Sequence, residues 1–220
     1  MPYLGFFHRF LFSDLWVVLD NVQFVASSRS WHNRDKLKTK DGAKWFTVSV
    51  EKCPRETMIK DVRLSADVDW RGDNLNLIEF NYRKAPFFDE IFPYVKSLYG
   101  FKCSRLVDFN LKSIEMLMGL FGIKIDSAFA SALGAAGKKN GLLIDILKKT
   151  GATDYLSGAG ARDYLEPALF EAAGINVVWQ EFSHPVYPQL YGEFIPYLSS
   201  IDLLFNCGIE KSRVILRSIA

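Results

Sequence analysis

The apolar positions of this chain change period several times, and the changes predict its elements. In VDFNLKSIEMLMGLF, apolar residues at 107, 111, 114, 118 and 121 form one helical stripe. Gly122 follows, suited to the left-handed position that ends a helix, and IKIDSAF after it reads as extended. The same order recurs twice: LLIDILKKT, Gly151, DYLSG; then EPALFEAA with Pro167 at a first-turn position, Gly174, and INVVWQEF. Helix, glycine and strand repeated three times predict α/β layering, and the nearly unbroken apolar run INVVWQ predicts a strand covered on both faces.

The N-terminal third follows other rules. LWVVLDNVQFV (15–25) contains one strand and KWFTVSV (44–50) another, with a polar segment between them whose Lys40–Gly42 turn suits a hairpin tip. Asp69–Lys84 and Phe87–Leu98 carry helical patterns. No low-complexity tract or Pro/Ser/Gly linker interrupts the chain, which predicts one compact domain over residues 1–220. The fold expected is single-domain, three-layer α/β, with a mixed, largely parallel sheet and an N-terminal segment containing a β-hairpin.

Composition narrows the function classes. With 220 residues, 49% of them hydrophobic, the chain can bury a real core. No apolar run is long enough for a membrane span, and the apolar N-terminus is broken by His8, Arg9 and Asp14 without a basic leader ahead of it. Three unpaired cysteines fit a reducing compartment, so a cytoplasmic protein is expected. Net charge is only +2, yet residues 29–63 hold ten Lys/Arg against five Asp/Glu. That local excess fits either an anionic partner, such as a phosphate, nucleotide or nucleic acid, or a solvated hairpin surface.

Candidate chemistry gathers at predicted strand ends, where open α/β sheets bind ligands. Asp20 follows LWVVL and could serve as a general base or metal holder, while Asn21 and Gln23 could hydrogen-bond a base or amide. A turn in which these side chains satisfy their own backbone is the alternative. Ser30–Arg34 combines Trp31, a stacking face or a core anchor, with Asn33 and with Arg34, suited to phosphate. The small-residue loop from Ser157 to Arg162 precedes a helix start and suits a phosphate or carboxylate. His184 lies in a loop stiffened by Pro185 and Pro188, with Tyr187 and Gln189 beside it, and is the natural acid/base candidate. Asp202 and Asn206, four apart on an apolar helix, need partners in the core or at a ligand. Gly134–Lys139 lacks the spacing of a phosphate-binding P-loop, no cluster has metal-ligand spacing, and nothing suggests a pyridoxal lysine or a haem, which leaves the cofactor open.

Several separated motifs resemble the WbqC-like proteins, and the resemblance runs over nearly the whole chain. They are Pro2-Tyr3-Leu4-Gly5-Phe6-Phe7, Asp20-Asn21-Val22-Gln23-Phe24, Ser30-Trp31-His32-Asn33-Arg34, Trp45-Phe46-Thr47-Val48, Lys84-Ala85-Pro86-Phe87-Phe88, Tyr155-Leu156-Ser157-Gly158, His184-Pro185-Val186-Tyr187 and Ile201-Asp202-Leu203-Leu204-Phe205-Asn206-Cys207-Gly208. The resemblance implies a transferase that attaches an amino acid, glycine foremost, or an amine to a phosphate-activated, nucleotide-linked substrate in surface-glycan (O-antigen) biosynthesis. Related viral proteins imply the alternative of glycine transfer to an activated base in DNA, and a non-catalytic nucleotide- or nucleic-acid-binding module is the third reading. Asp20, His184 and Asp202 are the expected catalytic residues. Asn21, Gln23, Trp31, Asn33, Arg34, Ser157, Arg162, Tyr187, Gln189 and Asn206 are expected to bind substrate. Members of the family usually open with a short apolar strand ahead of the Pro-Tyr-Leu-Gly motif; its lack here is expected to leave a sheet edge or central slot unfilled.

Overall fold

The computed structural model describes residues 1–25 and 32–219. Its elements in chain order are α1 (Leu4–Phe10), β1 (Leu15–Val18), β2 (Arg34–Thr39), β3 (Gly42–Thr47), α2 (Trp70–Tyr82), α3 (Phe88–Gly100), α4 (Leu106–Phe121), β4 (Asp126–Phe129), α5 (Lys139–Thr150), β5 (Asp154–Ser157), α6 (Pro167–Glu171), β6 (Asn176–Trp179) and α7 (Ile201–Arg217). The class is mixed α/β with small, mostly parallel sheets and a hairpin near the N-terminus, as the apolar pattern predicts. The described strands pair as three two-stranded ladders: β1 with β4 and β5 with β6, both parallel, and β2 with β3, antiparallel.

Local chemistry sets the boundaries. Asp69 caps α2, its Oδ1 accepting from the Gly72 amide at 3.0 Å. Gly122 (φ 63°) and Gly151 (φ 67°) end α4 and α5 in the left-handed region, where a side chain would be strained. The strand opposite KWFT is the charged segment Arg34–Thr39, not the apolar run before it. Thr39 closes its two-residue tip, donating from Oγ1 to the Gly42 carbonyl (2.8 Å) and accepting from the Asp41 amide (3.2 Å). Asp35 and Leu37 bury one face of this charged strand, and Lys38 is buried on the opposite face.

The main core joins α1, β2, α2, α3, α4 and the first half of α7 through Phe7, Leu37, Ile78, Ile91, Leu117 and Phe205. A second cluster packs α5 and α6 onto β5 and β6, and a third packs α5 onto β1. Because strand side chains alternate in direction, two neighbours on β1 fix two layers. Trp16 joins the main core beside α1, whereas Val17 joins Leu142 and Ile146 of α5. Helices α1 and α5 therefore lie on opposite faces of β1. No described helix is long and apolar enough to cross a membrane.

Candidate functional site

The segment that leaves β6 and enters α7 carries a connected cluster of buried polar groups. Asp202, at the start of α7, is completely buried. Its Oδ1 accepts from the Tyr82 hydroxyl at 2.7 Å, and its Oδ2 accepts from the Tyr187 hydroxyl at 2.9 Å and from Gln189 Nε2 at 2.7 Å. Lys38 reaches the same cluster from β2. Its ammonium donates to Gln189 Oε1 (3.0 Å) and to the Glu193 carbonyl, and its backbone amide donates to the Tyr82 hydroxyl (3.0 Å). The Gln189 amide is fully used, since it also donates to the Ile195 carbonyl and accepts from the Ile195 amide. Burial raises the Asp202 pKa against the lowering effect of its three donors, and burial lowers that of Lys38 against the pull of Asp202. The Tyr82 and Tyr187 hydroxyls, buried beside a carboxylate, are driven far above the ordinary tyrosine range.

His184 sits beside this cluster in a nest of rings. Phe182, Tyr187, Phe194 and Tyr197 have centroids 5.4–6.1 Å from the imidazole. Its Nδ1 lies 3.0 Å from the Pro185 carbonyl. A carbonyl only accepts, so Nδ1 carries the proton and Nε2 presents a lone pair. That Nε2 is buried and has no hydrogen-bond partner. Burial lowers the His184 pKa, which keeps the ring neutral near pH 7. The geometry provides a base with a free lone pair, held in place by neighbouring rings.

The rest of this region rests on the N-terminal residues. Tyr3 bridges to Ser199, its ring meets Phe182 and Tyr197, and the Ser199 amide donates to the Lys36 carbonyl at 2.9 Å. Next to Lys36, Asp35 is buried, with Oδ1 accepting from the Lys36 amide at 2.8 Å. Burial pushes its pKa up to about 6, opposed by the Met1 α-ammonium.

The structure brings His184, Tyr187, Gln189, Asp202 and Asn206 together; Asn206 Nδ2 donates to the Asp202 carbonyl at 2.7 Å. The other sequence-predicted residues that are described lie elsewhere, most of them with structural partners. Asp20 is buried, with Oδ1 accepting from the Ser131 amide (2.9 Å) and Oδ2 from the Ser131 hydroxyl, and so ties the end of β1 to the turn after β4. Asn21 donates to the Ala135 carbonyl, Gln23 to the Arg55 carbonyl and Asn33 to the Val48 carbonyl. The Arg34 guanidinium lies over the Trp45 ring at 4.1 Å, and that of Arg162 over Trp179 at 4.6 Å. Ser157 is buried at the end of β5, and Trp31 lies outside the described residues. Lys38, Tyr82 and Asp35 are the members that sequence reasoning missed; their burial was hidden inside a charged strand and at the end of a helical stripe. Among the described residues no group of three or more His, Cys, Asp or Glu is placed to hold a metal ion.

A cleft of about 1080 Å³ separates the two parallel strand pairs. It is lined by Leu15–Leu19 on one side and by Thr153–Leu156 and Val178–Glu181 on the other, with α1, α4 and α5 contributing mainly apolar side chains. None of the described site residues predicted from sequence borders it.

Comparison with known proteins adds a family to this geometry. A protein of Mycobacterium tuberculosis, Rv1507c, itself uncharacterized, is 31% identical over 212 residues, covering 96% of this chain and 91% of the relative. No solved structure matches the chain. The model of the WbqC-like protein family matches residues 1–214, and the chain belongs to that family.

Proposed function

We propose that this protein is a cytoplasmic transferase that attaches glycine, or another amino acid or amine, to a phosphate-activated, nucleotide-linked substrate such as a nucleotide-sugar of surface-glycan biosynthesis. The observation that carries this reading is His184: a neutral imidazole with a buried, unpartnered Nε2 at the carboxyl end of a parallel strand pair. An amino group at neutral pH is mostly ammonium and must lose a proton before it can attack. In the proposed step Nε2 takes that proton, nitrogen bonds to the activated carbon, and the carbon–oxygen bond to phosphate breaks. The phosphate leaves with the electron pair. Asp202 holds Tyr187 and Gln189, and through them the loop that carries His184. Arg162, over Trp179 at the end of β6, and Arg34 are the cations proposed to meet the phosphate.

The test is incorporation of radiolabelled glycine into a panel of nucleoside diphosphate-sugars, with a parallel arm offering duplex DNA whose hydroxymethyl-pyrimidine bases are phosphorylated. Label entering the sugar with release of the nucleoside diphosphate, and lost in a folded His184→Ala variant, is the expected result. Label entering only DNA moves the acceptor to a nucleobase. Full turnover by His184→Ala refutes the role given to that residue.

A further inference from the structure

We propose that Tyr197 is the gate to His184: its ring shuts the imidazole off from solvent and rotates outward to admit a ligand that donates a hydrogen bond to Nε2. As the entrance for a substrate amine, Tyr197 rests on the transferase reading above; as the cover of His184, it rests on geometry alone. Nε2 of His184 offers a lone pair, yet the atom is buried and unpartnered. A base that solvent does not reach cannot meet a ligand until one of its neighbours moves.

Of the four rings around the imidazole, three are held. Tyr187 is buried, and its hydroxyl donates to Asp202 at 2.9 Å. Phe182 and Phe194 pack against the main core, and Phe182 also meets His8 while Phe194 meets the Tyr187 ring. Tyr197 stands edge-on to the imidazole, with centroids 5.4 Å apart, and is 51% exposed. Its outer side is open to water, so it is the ring that can leave.

The backbone shows that this ring is kept at a cost. Tyr197 has φ 58°, in the left-handed region that suits glycine or asparagine and strains a bulky aromatic. Such conformations persist where the surroundings impose them, and they gather at ligand sites. Both flanks are pinned here. The Ile195 amide donates to Gln189 Oε1 at 2.9 Å, and the Ser199 amide donates to the Lys36 carbonyl at 2.9 Å. Leu198 between them is buried. Access to His184 is therefore a rotation of one side chain, not the lifting of a segment. A half-exposed ring on a strained residue returns little to stability; what it covers is the imidazole.

The imidazole selects what enters. Nδ1 is committed to the Pro185 carbonyl, so Nε2 accepts. Aromatic faces attract cations and disfavour anions. A primary ammonium satisfies both demands, whereas a carboxylate or phosphate satisfies neither.

The experiment is acylation of His184 by diethylpyrocarbonate at neutral pH, read by peptide mass mapping, in the parent, Tyr197→Asn and Tyr197→Phe. Asparagine tolerates the left-handed backbone and removes the ring, and phenylalanine keeps it. Tyr197→Gly, equally at home there, repeats the ring-free arm. His184 is expected to react at least about tenfold faster in the ring-free variants and within about twofold of the parent in Tyr197→Phe, with the rate at buried His8 unchanged throughout. Equal His184 rates with and without the ring overturn the gate. A faster His8 in the ring-free variants also overturns it, by showing general loosening. The second readout is the nitrogen resonance of His184 Nε2 in Tyr197→Asn, which methylammonium is expected to shift and acetate to leave in place. A shift by acetate, or none by methylammonium, overturns the choice of ligand. Neither readout measures transfer, so full turnover by His184→Ala would remove the transferase role of His184 and leave the gate to be judged on access.

Discussion

Asp35→Asn isolates the one buried carboxylate among the described residues that carries no strong set of donors. Asp202 accepts from two hydroxyls and an amide, and Asp20 from the amide and hydroxyl of Ser131. Asp35 is equally buried, yet the hydrogen bond found for it comes from the neighbouring Lys36 amide. Burial therefore dominates and raises its pKa from 3.8 to about 6. Between those two values the folded state holds a proton that the unfolded state has released, so stability falls as pH rises from about 4 to about 6 and then levels off. A shift of roughly two pH units corresponds to about 3 kcal/mol.

Asparagine keeps the acceptor for the Lys36 amide and has no charge to desolvate. Its buried NH₂ lacks a partner, a penalty of about 1–3 kcal/mol that does not vary with pH. Urea denaturation of both proteins at half-unit steps from pH 4 to 7 measures the effect, because groups common to both cancel in the difference. The stability of Asp35→Asn relative to the parent is expected to climb by about 3 kcal/mol across pH 4–6 and to be flat above. A pH-independent difference would refute the burial argument, and a difference falling with pH would mean that nearby positive charge outweighs burial and holds Asp35 as a carboxylate.

Two further substitutions test the packing around the site. Asp202→Asn turns an amide toward at least one donor that now meets a carboxylate oxygen and leaves Lys38 without its counter-charge, so a loss of about 3–5 kcal/mol is expected in denaturant titration; Tyr187→Phe, which removes a single donor, should lose only about 1 kcal/mol. Equal losses for the two would contradict a cluster centred on the carboxylate. Gly208 interrupts α7 at φ 72°, and a Cβ there would lie 2.6 Å from the Phe87 ring, so Gly208→Ala should destabilise by about 2–4 kcal/mol by Tm, and Phe87→Ala in the same chain should recover only the part due to the clash.

What was legible in the sequence was whatever depends on near neighbours. The stripe of α4 and the glycines after α4 and α5 stand where the pattern puts them, because a helical face and a left-handed residue are local demands. Asp202 and Asn206 were legible as polar residues on a buried helix in need of partners. Their partners were not, since Tyr82 lies 120 residues away and Lys38 sits in a strand whose composition reads as surface. Charged residues in Arg34–Thr39 masked an alternation in which one face is buried. Propensity alone cannot separate a solvated lysine from one clasped by Gln189 and Glu193. Strand-end position was equally ambiguous: it served a loop with a free imidazole at His184 and a structural tie at Asp20.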